Sequence, residues 1–210
     1  AQFDQYARQG YNRIPITREV LADLDTPLSA YLKLADGPYS YLFESVHGGE
    51  QWGRYSIIGL PSHKRIKIVG QQITVEVEGE ATESFQHPQP LQWIEDFRHE
   101  YRVPDIEGLP RFNGGLVGYF GYETIAYIEP RLQSQAKPDP IGTPDILLMV
   151  SEDLLVFDNL SGKLLLLTHA DPAQEHAYQQ AQQRLDNLVV KLRESSARPQ
   201  AHVASKAVQE

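Results

Sequence analysis

The stretch ITVEVE, residues 73–78, alternates apolar and polar side chains at every position. Successive side chains of a β-strand point to opposite faces of its sheet, so this pattern predicts one buried face and one solvated face. A second strand is predicted directly before it, at residues 65–69, with the turn GQQ between the two at residues 70–72. Together the two strands predict an antiparallel hairpin.

Other short strands and a few helices are predicted on either side of this hairpin. Strands are expected at residues 39–46, 54–58, 113–122, 146–150, 154–158 and 163–169, and the glycine-rich stretch 113–122 is interpreted as a buried strand. Helices are expected from Thr26-Pro27, from Pro90 and from Asp171-Pro172, because threonine and aspartate cap helices and proline suits the first helical position. Strands and helices do not alternate regularly, which favours an α+β fold with mainly antiparallel sheets packed against a few helices.

Two of the predicted helices carry an apolar stripe, and the last one marks a domain boundary. The helix from Pro90 has the stripe Leu91, Ile94, Phe97 and Tyr101, and the last helix has Ala177, Ala181, Leu185, Leu188 and Leu192. We therefore expect one domain at residues 1–170 and a helix at 171–194. Residues 195–210 lack bulky apolar side chains and are expected to form a linker or disordered tail, and residues 131–144 a proline-containing loop.

The composition excludes several classes of protein. The 210 residues carry a formal net charge of −9, and such a surface repels phosphate backbones, so no nucleic-acid partner is expected. The absence of cysteine excludes disulfides, thiolate zinc sites and a cysteine nucleophile. No apolar run has the length of a membrane span, and the first residues show no signal-peptide pattern, so we expect a cytoplasmic protein.

The general motifs of nucleotide, zinc-protease and serine-hydrolase chemistry are absent from the sequence. Seven histidines are scattered without a pair at ligand spacing, so neither a catalytic residue nor a metal site is predicted in this chain. The glycines between residues 114 and 121 do not follow the dinucleotide-binding spacing. They are interpreted as allowing close backbone packing within a strand.

Several motifs resemble a known family, and they occur in the order of that family. They are LFES at residues 42–45 with RYSIIG at 54–59, FNGGLVGYFGYE at 112–123, and PDILLM at 144–149 with VFDN at 156–159. YNRIP at residues 11–15 and TPLS at 26–29 add to the match. The sequence resembles anthranilate synthase component I, the large subunit, from about residue 11 to residue 194.

The resemblance implies a pathway and an architecture. The family makes anthranilate and pyruvate from chorismate, using Mg²⁺ and ammonia from a glutamine amidotransferase subunit, component II. Its chorismate- and magnesium-binding residues belong to a large C-terminal domain. The resemblance therefore implies that this chain is the N-terminal, regulatory portion of the enzyme, without catalytic activity, Mg²⁺ or another cofactor of its own, and that its last helix leads toward the catalytic domain.

The resemblance also implies half of a feedback site for L-tryptophan, at the motif that is usually Leu-Leu-Glu-Ser. Glu44 suits the ammonium of the ligand, and Ser45 and Arg54 suit its carboxylate. Leu42 or Phe43 suits the indole, and Phe43 replaces the usual leucine. Ser45 is the residue most readily carried over. A structural alternative is that Glu44 and Ser45 form the polar face of a strand, with Arg54 solvated or paired to Glu44.

A Pro-Tyr-Met type segment of the C-terminal domain completes this pocket in the family. We therefore expect weak or no tryptophan binding by this chain in isolation. Two alternatives stay open: the N-terminal region of aminodeoxychorismate synthase component I, and a stand-alone amino-acid-binding or scaffold module that docks on an amidotransferase.

Overall fold

The computed structural model describes residues 2–22, 24–44, 54–129, 131–132 and 141–194. The described residues form five α-helices, ten strands and one short 3-10 helix. In chain order these are α1 Gln2–Arg8, β1 Ile14–Leu21, α2 Pro27–Leu34, β2 Tyr41–Phe43, β3 Tyr55–Gly59, β4 Lys64–Val69, β5 Gln72–Val77, β6 Glu80–Gln86, α3 Pro90–Glu100, β7 Gly115–Phe120, the 3-10 helix Tyr122–Thr124, α4 Ile125–Ile128, β8 Ile146–Ser151, β9 Asp153–Asp158, β10 Lys163–Ala170 and α5 Ala177–Arg193.

The first sheet has the strand order β1-β10-β9-β3-β2, and every neighbouring pair is antiparallel. Helices α2 and α5 cover one of its faces. The core between them buries Ala30, Ala35, Ile58, Leu155, Phe157, Leu164, Leu166, Leu185, Leu188 and Leu192. All five residues of the predicted stripe on the last helix are buried, so that stripe is confirmed and serves the domain's own core.

The second sheet has the strand order β6-β5-β4-β8-β7 and is also antiparallel throughout. Helix α3 covers one face, with Ile94 and Phe97 buried against the sheet. Ile73 and Val75 of ITVEVE are buried and Thr74 is half-buried, and β4 pairs with β5 across the predicted turn. The hairpin and the α+β fold are therefore confirmed.

The start of α2 is also as predicted, but the start of α5 is not. Thr26 and Ser29 form a capping box at α2. Helix α5 begins at Ala177 rather than Pro172, because the Asp171 carboxylate accepts a hydrogen bond from the Ala173 N–H in a local turn, at 3.0 Å. His176 then adopts a left-handed conformation, φ 56°, which a right-handed helix cannot contain.

The glycine-rich stretch 113–122 was predicted to be a buried strand, and this prediction is wrong about burial. The strand within it, β7, lies at the edge of the second sheet, and among the described residues it pairs with β8 alone. Val117 alone is buried within it, while Tyr119 is 39% and Phe120 53% exposed. The apolar composition suggested a central strand, yet an edge strand has one neighbour and one open flank.

Some elements are shorter than predicted or were not predicted at all. The strand expected at residues 39–46 spans Tyr41–Phe43, and positions 45–53 lie outside the described residues. Most of the predicted loop and the whole predicted tail also lie outside them. Helix α1 and the edge strands β1 and β6 were missed. The division into a domain and a following helix stays a prediction.

Among the described residues, no helix combines the length and apolar character that a membrane crossing needs.

Candidate functional site

Strand β2 forms one edge of the first sheet and carries the start of the LFES motif. Tyr41 pairs with Gly59 and Phe43 pairs with Ile57, both on β3. A side chain at position 59 would overlap the Tyr41 ring, so glycine is required for this close approach. The Tyr41 and Phe43 rings contact each other, with centroids 4.8 Å apart. The local sequence thus holds two aromatic side chains together on one face of the sheet edge.

Tyr41 also ties this edge to the second sheet. Its phenol oxygen lies 2.7 Å from the Ser151 hydroxyl at the end of β8, and either group can donate. Burial raises the pKa of Tyr41 to about 12, so the phenol stays protonated at neutral pH. Ser151 is itself buried. This hydrogen bond therefore connects β2 to the end of β8 in the second sheet.

The structure places the predicted ligand residues of the LFES motif on different surfaces. Leu42 packs against the core beneath α2 and α5. Phe43 points to the opposite face and is 52% exposed, as strand alternation requires. Glu44 is exposed, and Ser45 lies outside the described residues. Of the two apolar candidates, Phe43 is the more exposed, whereas Leu42 is half-buried.

Arg54 is engaged by a carboxylate, but that carboxylate belongs to Asp158 rather than Glu44. Its Nε and Nη2 atoms donate to the two Asp158 oxygens at 3.1 and 2.7 Å, and its guanidinium lies 4.9 Å from the centre of the Tyr55 ring. The hydrogen bonds from Arg54, together with those from the 160–161 turn, lower the pKa of Asp158 to about 2. Arg54 is 43% exposed at its side chain, so this ion pair lies at the solvent boundary.

Beside this ion pair lies an open groove of about 300 Å³. Tyr55, Val156 and Leu165 contribute its apolar surface. A second ion pair, from Lys163 Nζ to Glu19 Oε1 at 2.7 Å, borders it on the other side. We call this feature the Arg54 groove. Phe43 lies on the same face of the first sheet, because Phe43 pairs with Ile57 and Ile57 with Val156.

The sequence predicted Arg54 and Phe43 as ligand residues, which stays a prediction, and it did not predict the residues that position them. Asp158 lies within the quoted motif VFDN, yet nothing in the sequence shows that it pairs with Arg54 across a strand register. Tyr41 directly precedes LFES, and its partner Ser151 is 110 residues away. Such long-range partners follow from the sheet topology and leave no local sequence signal.

Close packing was predicted for the glycines at 114, 115, 118 and 121; it is observed at Gly114 and Gly118, whereas a Cβ on Gly115 would meet no atom within 4 Å. A Cβ on Gly118 would overlap the Leu147 carbonyl oxygen of β8. A Cβ on Gly114 would lie 2.6 Å from the His169 Cε1 atom. Both glycines therefore allow the close packing expected of them.

The Mg²⁺ implied by the resemblance has no matching group of ligands in the part of the chain that the structure describes. No group of three or more histidine, aspartate or glutamate side chains there is arranged to hold a metal ion. We therefore derive no chemical step through a metal from these residues.

Comparisons with known proteins agree with the resemblance. A family model described as chorismate binding enzyme matches residues 42–210. Anthranilate synthase component 1 of Pseudomonas aeruginosa is 54% identical over 193 residues, which cover 92% of this chain and 39% of that protein. The protein of the same name from Neisseria meningitidis is 54% identical over 202 residues, which cover 94% of this chain and 41% of the relative.

A solved structure shows the same fold. The crystal structure of anthranilate synthase component I from Streptococcus pneumoniae TIGR4 superposes with a TM-score of 0.53 at 23% sequence identity, covering 85% of this chain and 37% of that chain. This chain thus spans about two fifths of the length of the curated relatives that it matches. The family model matches most of the chain, and on that ground the chain belongs to the family of chorismate binding enzymes.

Proposed function

We propose that this chain is the N-terminal, regulatory portion of an anthranilate synthase component I and contributes half of a tryptophan feedback-inhibition site. The complete enzyme would convert chorismate to anthranilate and pyruvate in tryptophan biosynthesis, a lyase reaction, with ammonia from a glutamine amidotransferase subunit. The sequence identity of 54% over 92% of the chain to a protein of that name supports this assignment. Because the chain spans 39% of that relative, we assign it regulation rather than the complete reaction.

The observation that carries the regulatory assignment is the shared face of Phe43 and the Arg54 groove. An aromatic amino acid needs an apolar surface for its ring, an anion for its ammonium and a cation or hydroxyl for its carboxylate. Phe43 and Tyr55 offer exposed or groove-lining rings, and Glu44 is an exposed carboxylate. Arg54 offers the cation at the border of the same groove.

Arg54 can serve the ligand only if it exchanges Asp158 for the ligand carboxylate, or binds both. The exchange has a modest cost, because the pair lies at the solvent boundary, with side chains 43% and 18% exposed, and ion pairs near the surface contribute little to stability. In this proposal Ser45 adds a hydroxyl donor, and Leu42 supports the site from the core rather than by contact. The Tyr41–Ser151 hydrogen bond keeps the edge in place when the ligand is absent.

Inhibition follows from differential binding between two arrangements of the complete enzyme. A ligand that binds one arrangement more tightly shifts the population toward it, by an amount set by the ratio of the two affinities. We propose that tryptophan at this edge favours an arrangement that binds chorismate poorly. The second half of the tryptophan site and Mg²⁺ belong, in this proposal, to the catalytic domain. We also propose that the chain alone is inactive and that the enzyme is cytoplasmic.

Isothermal titration of the isolated chain with L-tryptophan tests the half-site. We expect no measurable heat, or a Kd weaker than about 1 mM, because half of the contacts are missing. Ser45→Ala and, as a matched control on the second sheet, Ser84→Ala are titrated in parallel. Micromolar binding that Ser45→Ala abolishes would show that the half-site suffices. Micromolar binding that Ser45→Ala leaves unchanged would contradict its location.

The product of the full-length enzyme tests the assignment of the reaction. Incubation with chorismate, Mg²⁺ and ammonia is expected to yield anthranilate, which is identified by its fluorescence and mass. Formation of aminodeoxychorismate instead would assign the chain to that related enzyme. No turnover of chorismate by the full-length protein would favour a binding or scaffold module.

A further inference from the structure

A second cavity lies at the other end of the same face of the first sheet. It has a volume of about 340 Å³ and lies between the end of α3, the start of β7 and the ends of β8 and β10. Phe97, Tyr101, Phe112, Leu116 and Val150 provide apolar and aromatic walls. We call it the His169 cavity. Its volume is within the range of small-molecule sites, which are mostly apolar with a few fixed polar groups.

His169 is the fixed polar group of this cavity. Its side chain lies on β10 and is buried, with 8% of the residue exposed. Its Nδ1 atom lies 3.0 Å from the Glu152 carbonyl oxygen. A carbonyl oxygen only accepts hydrogen bonds, so Nδ1 donates, and in the neutral ring Nε2 is then an acceptor. Burial lowers the pKa of His169, which favours this neutral form.

The Nε2 acceptor has no hydrogen-bond partner within the described part of the chain. Every side-chain nitrogen or oxygen atom that is sealed from solvent in that part has a hydrogen-bond partner. Nε2 therefore keeps contact with solvent, and His169 is one of the residues that line the cavity. A ligand N–H or O–H group at Nε2 would take the place of water as the donor to this lone pair.

The charges near His169 disfavour an anionic ligand. Arg98 and Arg13 are the cations that line the cavity; Arg98 Nε donates to Glu95 Oε2 at 3.0 Å, and Arg13 Nε donates to Glu152 Oε1 at 2.8 Å. Its Nη1 atom donates to Asp171 Oδ2 at 3.0 Å, and its guanidinium lies over the Tyr101 ring. Two carboxylates thus surround one guanidinium, and the local charge is not positive. A neutral ligand fits this environment better than a carboxylate or phosphate.

Gly114 shapes the wall beside the imidazole. Its φ of 136° is a conformation that favours glycine, and an added Cβ would lie 2.6 Å from His169 Cε1 and 3.0 Å from the Ser151 carbonyl oxygen. The backbone therefore approaches the ring as closely as it can. The next residue, Gly115, has a similar φ of 134° but no atom within 4 Å of an added Cβ.

We propose that the His169 cavity is a binding site for a small neutral aromatic molecule whose N–H or O–H group donates to Nε2 of His169. The site is separate from the Arg54 groove, because Leu165 of the groove and His169 lie four residues apart on β10, roughly 13 Å at 3.3 Å per residue. The proposal does not depend on the tryptophan site, whose ligand is a zwitterion.

Indole and 1-methylindole form the probe pair for this proposal, because they share a ring system and differ in the N–H donor. The ¹⁵N-labelled chain is titrated with each probe, and backbone amide shifts are followed by NMR. We expect indole to shift the amides of Gly114, Gly115 and Ser151, and 1-methylindole to bind at least about fivefold more weakly. In His169→Phe the two probes should bind with equal affinity, whereas His63→Phe, at an exposed histidine, should keep the difference.

Three results would overturn the proposal. Equal affinity of the two probes for the unmodified chain would remove the role of Nε2, and this comparison holds even if His169→Phe fails to fold. Shifts confined to Phe43 and Tyr55 would place indole in the Arg54 groove instead. No shifts at all with indole at its solubility limit would show that the cavity takes no aromatic ligand. Tryptophan inhibition of the full-length enzyme tests the Arg54 groove separately, so the two proposals can fail independently.

Discussion

The Arg54 groove and the His169 cavity lie at opposite ends of one sheet face, and they satisfy their polar groups in opposite ways. At the groove, charged side chains are paired and partly exposed, as with Arg54 and Asp158. At the cavity, a neutral imidazole is buried with one nitrogen unpartnered in the described part of the chain. Exposed pairs exchange partners at low cost, which suits a zwitterionic ligand. A neutral acceptor that has no partner within the described residues suits a neutral donor instead.

The largest expected effect concerns the backbone wall of the cavity. Gly114→Ala forces a Cβ against His169 and the Ser151 carbonyl in a conformation that favours glycine. Gly115→Ala is the matched control, with a similar φ but open space. We expect urea unfolding to show a loss of about 1–2 kcal/mol for Gly115→Ala and about 1–3 kcal/mol more for Gly114→Ala. Equal losses would mean that Gly114 is required for its φ alone.

A smaller effect is expected at the hydrogen bond that joins the two sheets. Tyr41→Phe removes the phenol oxygen and leaves the buried Ser151 hydroxyl without this partner. The free energy of unfolding should fall by about 1–2 kcal/mol. Tyr122→Phe, at a side chain that is 90% exposed, should change it by less than about 0.5 kcal/mol. If both variants were equally stable, the Tyr41 hydroxyl would not hold β2 in place.

The smallest effect is expected at the exposed ion pair of the groove. The folded state lowers the pKa of Asp158 from 3.8 to about 2, so it favours the ionised carboxylate. This stabilisation is complete above about pH 4 and is lost as the pH falls toward 2. The stability difference between the unmodified chain and Asp158→Asn should therefore shrink over that pH range. It should also shrink in about 1 M salt at neutral pH, because salt screens exposed charges.

A difference that stayed constant with both pH and salt would contradict an electrostatic role for Asp158. It would indicate instead that the asparagine disturbs the 158–161 turn, where Asp158 Oδ1 accepts the Leu160 N–H at 3.1 Å. Asp186→Asn, which removes another exposed ion pair, to Arg18, serves as the matched control.

The sequence predicted the elements whose periodicity is strong and failed where burial depends on sheet order. ITVEVE and the stripe on α5 were predicted correctly, because one face of each is buried and the pattern records it. Strand β6, Glu80–Gln86, is mostly exposed and has no such pattern. Strand β7 is apolar yet lies at an edge. Its position depends on the pairing of β8 with β4, which no local pattern reveals.

The candidate site, like the fold, could be predicted from the sequence only in part. The residue types at Phe43, Glu44 and Arg54 came from the resemblance, and their chemistry suits an amino acid. Strand alternation then places Leu42 on the core side and Phe43 on the open side, which is a consequence of the β2 register. The partners Asp158 and Ser151 required the three-dimensional structure. The His169 cavity had no sequence signal, since His169 is one of seven scattered histidines.

The most direct test of the central claim is tryptophan inhibition of the full-length enzyme carrying Ser45→Ala, with Ser84→Ala as the matched control. We predict that Ser45→Ala retains turnover of chorismate and loses sensitivity to tryptophan by at least about tenfold in the inhibitory concentration, as expected for the loss of a hydrogen bond to a charged group. Ser84→Ala should remain inhibited like the unmodified enzyme. A Ser45→Ala enzyme that stays fully sensitive to tryptophan would contradict a feedback site at this edge of the first sheet.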